Sequence, residues 1–89
     1  MMDLNVHKDV TNVLENLPLK LFKQVTLRLL ELRINPKPHD YKHLKYHPGC
    51  FRIDSGDYRI CYKINGNVVE VILVGPRNDV YKKLERKPH

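Results

Sequence analysis

The chain contains no run of eighteen or more apolar residues, which excludes a membrane-spanning helix of the ordinary length. Its first ten residues, MMDLNVHKDV, hold no apolar signal core, so a cytosolic start and a cytoplasmic protein without a membrane partner are expected. No internal repeat, low-complexity stretch or linker divides it, and 89 residues leave room for one domain (residues 1–89) and one core. A chain of that size buries roughly 60–65% of its unfolded surface, which makes stability marginal and a partner useful. Cysteine is scarce: Cys50 and Cys61 are expected to be reduced thiols, lying opposite each other on one sheet face. His39, His43 and His47 recur every fourth residue near Cys50, a spacing that superficially suits a metal. Pro38 and Pro48-Gly49 bracket them, however, so one continuous helix presenting all three is not expected. A polar loop is the reading there, with no metal and no cofactor.

What is present is positive charge. The formal net charge is +6 and the pI about 9.5, with the excess mostly from Asn35 onward. That balance suits a nucleic-acid partner. Met2, Leu4 and Val6 alternate with polar residues as in a half-buried strand. Val10, Val13, Leu14 and Leu17 follow at helical spacing. Pro18 fits the first position of a second helix, running to Ile34, with Leu21, Phe22, Val25, Leu29 and Leu32 as its core stripe. Lys20, Gln24, Arg28 and Glu31 fall opposite that stripe. Leu19, Leu27, Leu30 and Ile34 form a second apolar flank, expected to pack on the first helix with part left open for a partner. Asn35-Pro36-Lys37-Pro38 stops the helix, and a loop of roughly ten residues leads on to a sheet.

Two hairpins then organise FRIDSGDYRICYKINGNVVEVILVGP. Closing the first at Ser55-Gly56 pairs Ile53 with Tyr58, Arg52 with Arg59 and Phe51 with Ile60. Closing the second at Asn65-Gly66 pairs Tyr62 with Val69 and Ile60 with Val71. Alternation puts Phe51, Ile53, Tyr58, Ile60, Tyr62, Val69, Val71 and Leu73 on one face, and Arg52, Asp54, Arg59, Cys61, Lys63 and Glu70 on the other. Gly75-Pro76 ends the last strand, and Asn78 or Asp79 caps a short helix carrying Val80, Tyr81 and Leu84. The fold class expected is α+β, in the order β-α-α-β-β-β-α. A small antiparallel sheet has two helices on its apolar face and its arginine face open. A solvated face accounts for scattered charges, with Asp54, Asp57 and Glu70 placed to neutralise them. Like charges directly across a ladder nevertheless repel. Arg52, Arg59, Arg77 and Tyr81 on one face suit a single-stranded phosphodiester.

The element order, with GDYRICY, the Asn-Gly turn, VVEVILVG and PRNDVYKKL, resembles the RelE/ParE superfamily of bacterial toxins over nearly the whole chain, and RelE more than ParE. The resemblance implies a ribosome-dependent endoribonuclease that cuts mRNA in the decoding site and is restrained by a cognate antitoxin. The toxin–antitoxin complex would bind operator DNA through the antitoxin. By the same resemblance Arg59 contacts the scissile phosphate, Arg77 stabilises the transition state and leaving group, and Tyr81 orients the nucleotide. Arg52 stands where family members have lysine, and Asp54 stands where they have a second one, which leaves Tyr81 or Asp54 as general base, or a reaction that rests mainly on electrostatics. Lys45, Lys63, Lys82 and Lys83 are the candidates for contacts to RNA or ribosome. Two other readings share the fold. One is a ParE-like, non-enzymatic poison of DNA gyrase, which would have no use for the set Arg52, Arg59, Arg77 and Tyr81. The other is an inactive member serving only as an antitoxin partner or repressor subunit.

Overall fold

The computed structural model describes residues 1–79, so the expected final helix, with Tyr81, Lys82 and Lys83, lies outside the described residues. Within them the order is β1 (Asp3–Val6), α1 (Lys8–Glu15), α2 (Leu19–Ile34), β2 (Lys42–His43), β3 (Cys50–Ser55), β4 (Tyr58–Asn65) and β5 (Val68–Pro76). Pro18 stands at the N-cap of α2, one position ahead of where the sequence suggested. Asn35 is forced extended (φ −139°, ψ 100°) because Pro36 disfavours helical geometry in the residue before it. None of the described helices is long and apolar enough to cross a membrane.

The five strands form one sheet in the order β1-β5-β4-β3-β2. The sheet is mixed rather than antiparallel, because β1 runs parallel to β5 with Asp3 beside Val68 and Val6 beside Val71. Lys42 and His43, expected in a loop, form a short edge strand against Arg52 and Phe51. Both hairpins carry glycine at the first of two loop positions: Gly56 and Gly66 have φ +60°, while Asp57 and Asn67 are not among the positive-φ residues. That is the pattern of a type II′ turn, with the loops at Gly56-Asp57 and Gly66-Asn67 rather than at Ser55-Gly56 and Asn65-Gly66. Each register therefore slides by two residues. Arg52 lies opposite Cys61, Asp54 opposite Arg59, and Ile53 opposite Ile60. Tyr62 lies opposite Val71 rather than Val69. A slide of two preserves parity, so nearly every residue keeps its predicted face.

The exception has a local cause. Tyr62 pairs with Val71 but Cys61 pairs with Leu73, leaving Ile72 as an extra residue in β5. Such a bulge reverses the alternation beyond it. Val74 consequently joins Val69 and Val71 in the helix-facing core, while Leu73 turns to the other face. The core packs Val25, Leu29 and Leu32 of α2 against Ile53, Ile60 and Tyr62, all nearly or fully buried. Each such aliphatic side chain contributes about 1.5–3 kcal/mol by leaving water. The Tyr62 hydroxyl donates to the Pro36 carbonyl at 2.7 Å, tying β4 to the turn after α2. Burial raises its pKa to about 12.

Two expectations about openness are corrected. The arginine face is not simply open, because Leu44, Cys50, Cys61, Ile72 and Leu73 form a second buried cluster on it. The second flank of α2 is not covered by α1, which lies against β5. Leu19, Leu27 and Ile34 are 67%, 61% and 76% exposed, and Leu30 is exposed as well.

Candidate active site on the outer sheet face

The site is built from rows of side chains that cross the outer face of the sheet. One row runs Lys42, Arg52, Cys61; the next runs Asp54, Arg59, Gly75; a third runs Cys50, Lys63, Glu70. Gly75 contributes no side chain beside Arg59. Arg77 follows β5 directly, and its backbone N–H donates to the Asp57 carbonyl at 3.0 Å, which fixes it beside the tip of the β3–β4 hairpin. Arg77 is exposed, Arg52 is half-buried, and Arg59 is only 7% exposed. Lys63 is half-buried on this face, and Lys45 is exposed beyond its edge.

Asp54 organises the group. Arg59 Nε donates to its Oδ1 at 2.8 Å, and Nη2 reaches Oδ2 at 3.5 Å. The Arg59 hydrogen bond holds the Asp54 carboxyl below the ordinary carboxylate range, with Arg59, Arg77 and Arg52 charges adding to the effect against desolvation. Asp54, rather than Arg52, thus faces Arg59, and the charges of Arg77 and Arg52 act on the same carboxylate. An ionised, stabilised Asp54 is a weak proton acceptor. Its role is to hold the Arg59 guanidinium in place, and the general-base assignment offered for it does not fit this geometry.

Arg28 is the residue the sequence misplaced. Its Nε donates to the Asp54 carbonyl (3.1 Å), Nη1 to Glu31 Oε2 (2.7 Å) and Nη2 to Asp40 Oδ2 (2.6 Å). It therefore braces α2 against the strand that carries Asp54, instead of facing solvent. Its strand partner lies 26 residues away, so no local signal could have marked it. Cys50 and Cys61 lie diagonally rather than opposite, with Cys50 beside Lys63 and Cys61 beside Arg52. Burial pushes both thiols up, that of Cys61 to about 12, so both are protonated and poor nucleophiles at neutral pH. The three histidines share no helix: His43 is in β2, its ring 4.9 Å from that of Phe51, while His39 and His47 lie in the flanking turns.

The Asp54–Arg59 pair makes stability depend on acid. A carboxylate whose folded pKa is depressed contributes stability above its unfolded value, about 4, and loses it as pH falls through the lower folded value. The melting temperature should therefore drop below about pH 4, and Asp54→Asn should flatten that acid limb. Circular dichroism melts across that range check this; identical acid limbs for both proteins would refute it.

Comparison with known proteins follows the same outline. A family model described as "ParE toxin of type II toxin-antitoxin system, parDE" matches residues 4–81. No curated protein matches the chain. Among solved structures, the intact E. coli RelBE toxin–antitoxin complex contains a chain 26% identical, at a TM-score of 0.74, covering 85% of this chain and 96% of its own length. The archaeal RelE–RelB complex from Pyrococcus horikoshii is 25% identical, at 0.74, covering 85% and 94%. The isolated E. coli RelE toxin is 25% identical, at 0.72, covering 97% of each chain.

Proposed function

Because the chain belongs to the ParE toxin family of type II toxin–antitoxin systems, we propose that it is the RelE-like kind of toxin, an endoribonuclease that cuts mRNA in the ribosomal decoding site. The observation that carries this reading is the Arg59 guanidinium held on the outer sheet face by Asp54, with the charges of Arg77 and Arg52 acting on the same carboxylate; positive charge gathered there suits a phosphodiester. A ribose 2′-OH attacks its own adjacent phosphate. The O2′–P bond forms, the P–O5′ bond breaks, and the 2′-OH proton leaves as the departing O5′ gains one. The products are a 2′,3′-cyclic phosphate and a 5′-OH. This reaction needs no metal; it needs in-line geometry and neutralisation of charge on the phosphate oxygens. Arginine supplies that neutralisation through paired N–H donors, and the requirement for a 2′-OH selects RNA over DNA. Arginine is too weak an acid to serve as a base, and Asp54 is held ionised, so the rate rests mainly on electrostatics and positioning. Tyr81 would orient the nucleotide, and Lys63, Lys82 and Lys83 would contact RNA or ribosome.

The family model favours a second reading, a non-enzymatic gyrase poison of the ParE kind. Brief induction in bacteria, with mapping of transcript 5′ ends beside a gyrase supercoiling assay, separates the two. New 5′ ends within translated transcripts support the nuclease. Loss of supercoiling with intact transcripts overturns it.

The partner reading is a cognate antitoxin, through which the complex would bind operator DNA. The exposed stripe Leu19, Leu27, Leu30 and Ile34 on α2, together with the +6 charge, suits an acidic, amphipathic segment that folds on binding. Leu27→Glu with Ile34→Glu should weaken antitoxin binding by at least about tenfold, as loss of apolar burial predicts. Calorimetric titration measures this, and the lone toxin should melt unchanged because both side chains already face water. Unaltered affinity would place the antitoxin elsewhere.

A further inference from the structure

We infer that Tyr46 is a stacking platform for one base of a single-stranded RNA, set at the outer end of a basic track that begins at the arginines. The choice of RNA rests on the endoribonuclease reading above; the platform itself rests on the loop between β2 and β3. Tyr46 is the most exposed large hydrophobic side chain among the described residues, at 88%, and has φ +65°. Among the described residues it is the only one besides glycine in the left-handed region.

The loop around it is tightly bonded. Leu44 N–H donates to the Cys50 carbonyl (2.9 Å), His47 N–H to Leu44 (3.3 Å) and Cys50 N–H to His47 (3.1 Å). Leu44 and Cys50 are buried in the outer-face cluster, so the loop is anchored at both ends. The Leu44–His47 bond closes a turn with Tyr46 third of four, where a positive φ is normally met by glycine. A tyrosine there costs stability and buries little apolar surface in return, since its ring is almost wholly exposed. Strain held by surrounding structure, with little apolar burial to offset it, points to a function for the side chain.

The surroundings choose the ligand. Between Asp40 and Asp54 there is no acidic residue, while Lys42, Lys45 and Arg52 lie in that segment. Lys42 pairs directly with Arg52 across the sheet edge, joining the loop to the arginine site. The Lys45 ammonium stands 5.9 Å from the Tyr46 ring centre. Alternating cations and an exposed aromatic ring form the pattern of single-strand binding, in which cations follow the backbone and a ring stacks on a base of any identity. The bonded turn fixes the backbone of Tyr46, and a tyrosine has only two side-chain torsions to order on stacking.

The test uses the full chain and a fluorescein-labelled, 2′-O-methylated single-stranded oligonucleotide, which cannot be cut through its own 2′-OH. Fluorescence anisotropy should show Tyr46→Ala binding roughly tenfold more weakly than wild type. Tyr46→Phe and Tyr46→Trp should bind like wild type, because stacking needs only the ring. Tyr46→Gly should bind as poorly as Tyr46→Ala yet melt above wild type, since glycine accepts the positive φ. That gain in stability with loss of affinity separates a strained functional residue from a structural one. Unchanged affinity in Tyr46→Ala, equal losses in Tyr46→Phe and Tyr46→Ala, or no measurable binding by wild type would overturn the inference. Duplex DNA bound with the same dependence on Tyr46 would overturn the single-strand assignment. Tyr46-dependent binding by a protein that leaves transcripts uncut would remove the nuclease reading and keep the platform. Cleavage with Tyr46-independent binding would do the reverse.

Discussion

Replacing Arg77 by alanine should reduce cleavage of ribosome-bound mRNA by about 10²–10³-fold, the usual cost of removing one preorganised donor from a developing oxyanion. The fold should survive, because Arg77 is exposed and its backbone bond to the Asp57 carbonyl does not depend on its side chain. Arg77→Lys should recover only part of the loss, since an ammonium is a point charge and cannot reproduce a two-pronged contact with phosphate. Single-turnover cleavage of a programmed ribosome measures all three proteins. Undiminished cleavage by Arg77→Ala would remove the residue from the site. Arg59 is a less clean test. It is buried against Asp54, so Arg59→Ala removes a guanidinium and also strands a carboxylate, and lost activity would carry a folding component. Arg59→Lys, which keeps the charge, is the better variant there.

Free RNA should be cut far more slowly than mRNA in the decoding site. Asp54, the carboxylate at the candidate site, is engaged with Arg59 and held ionised, so it is a weak acceptor for the 2′-OH proton. Orientation supplied from outside can be worth about 7–11 kcal/mol, many orders of magnitude in rate. The check is a comparison of cleavage rates for one message, free and on a translating ribosome, at equal toxin concentration. Equal rates would mean that this small domain orients the nucleotide unaided, and the dependence on electrostatics alone would fail.

The face on which the candidate residues lie was legible in the sequence. Arg52, Asp54, Arg59, Cys61 and Lys63 were assigned to the correct face because strand alternation has a period of two, and the true register differs from the predicted one by two. The same insensitivity hid the pairing that matters. Parity cannot distinguish Arg52 from Asp54 as the neighbour of Arg59, and a glycine in a two-residue loop fits either turn position until its partner's φ is known. The expected Arg52–Arg59 pair does not form; an ion pair between Asp54 and Arg59 stands there instead.

The chain by itself determined two helices, the stop of the second at Asn35-Pro36, the existence of both hairpins, the apolar face of the sheet and the basic character of the other. These follow from backbone sterics at glycine and proline and from the 3.6- and 2-residue periods of helix and strand, which act over a few residues. Tertiary packing decided the rest. It set β1 parallel to β5, where no connecting turn records the partner. It made the bulge at Ile72 that sends Leu73 outward and Val74 inward, and it raised Lys42 and His43 into an edge strand. It drew Arg28 from the solvent side of α2 onto Asp54, and left Leu27 and Ile34 in water because α1 lies on β5 instead. Each of these joins residues far apart in the chain, and such contacts form only where several elements meet at once, so no short stretch of sequence carries their mark.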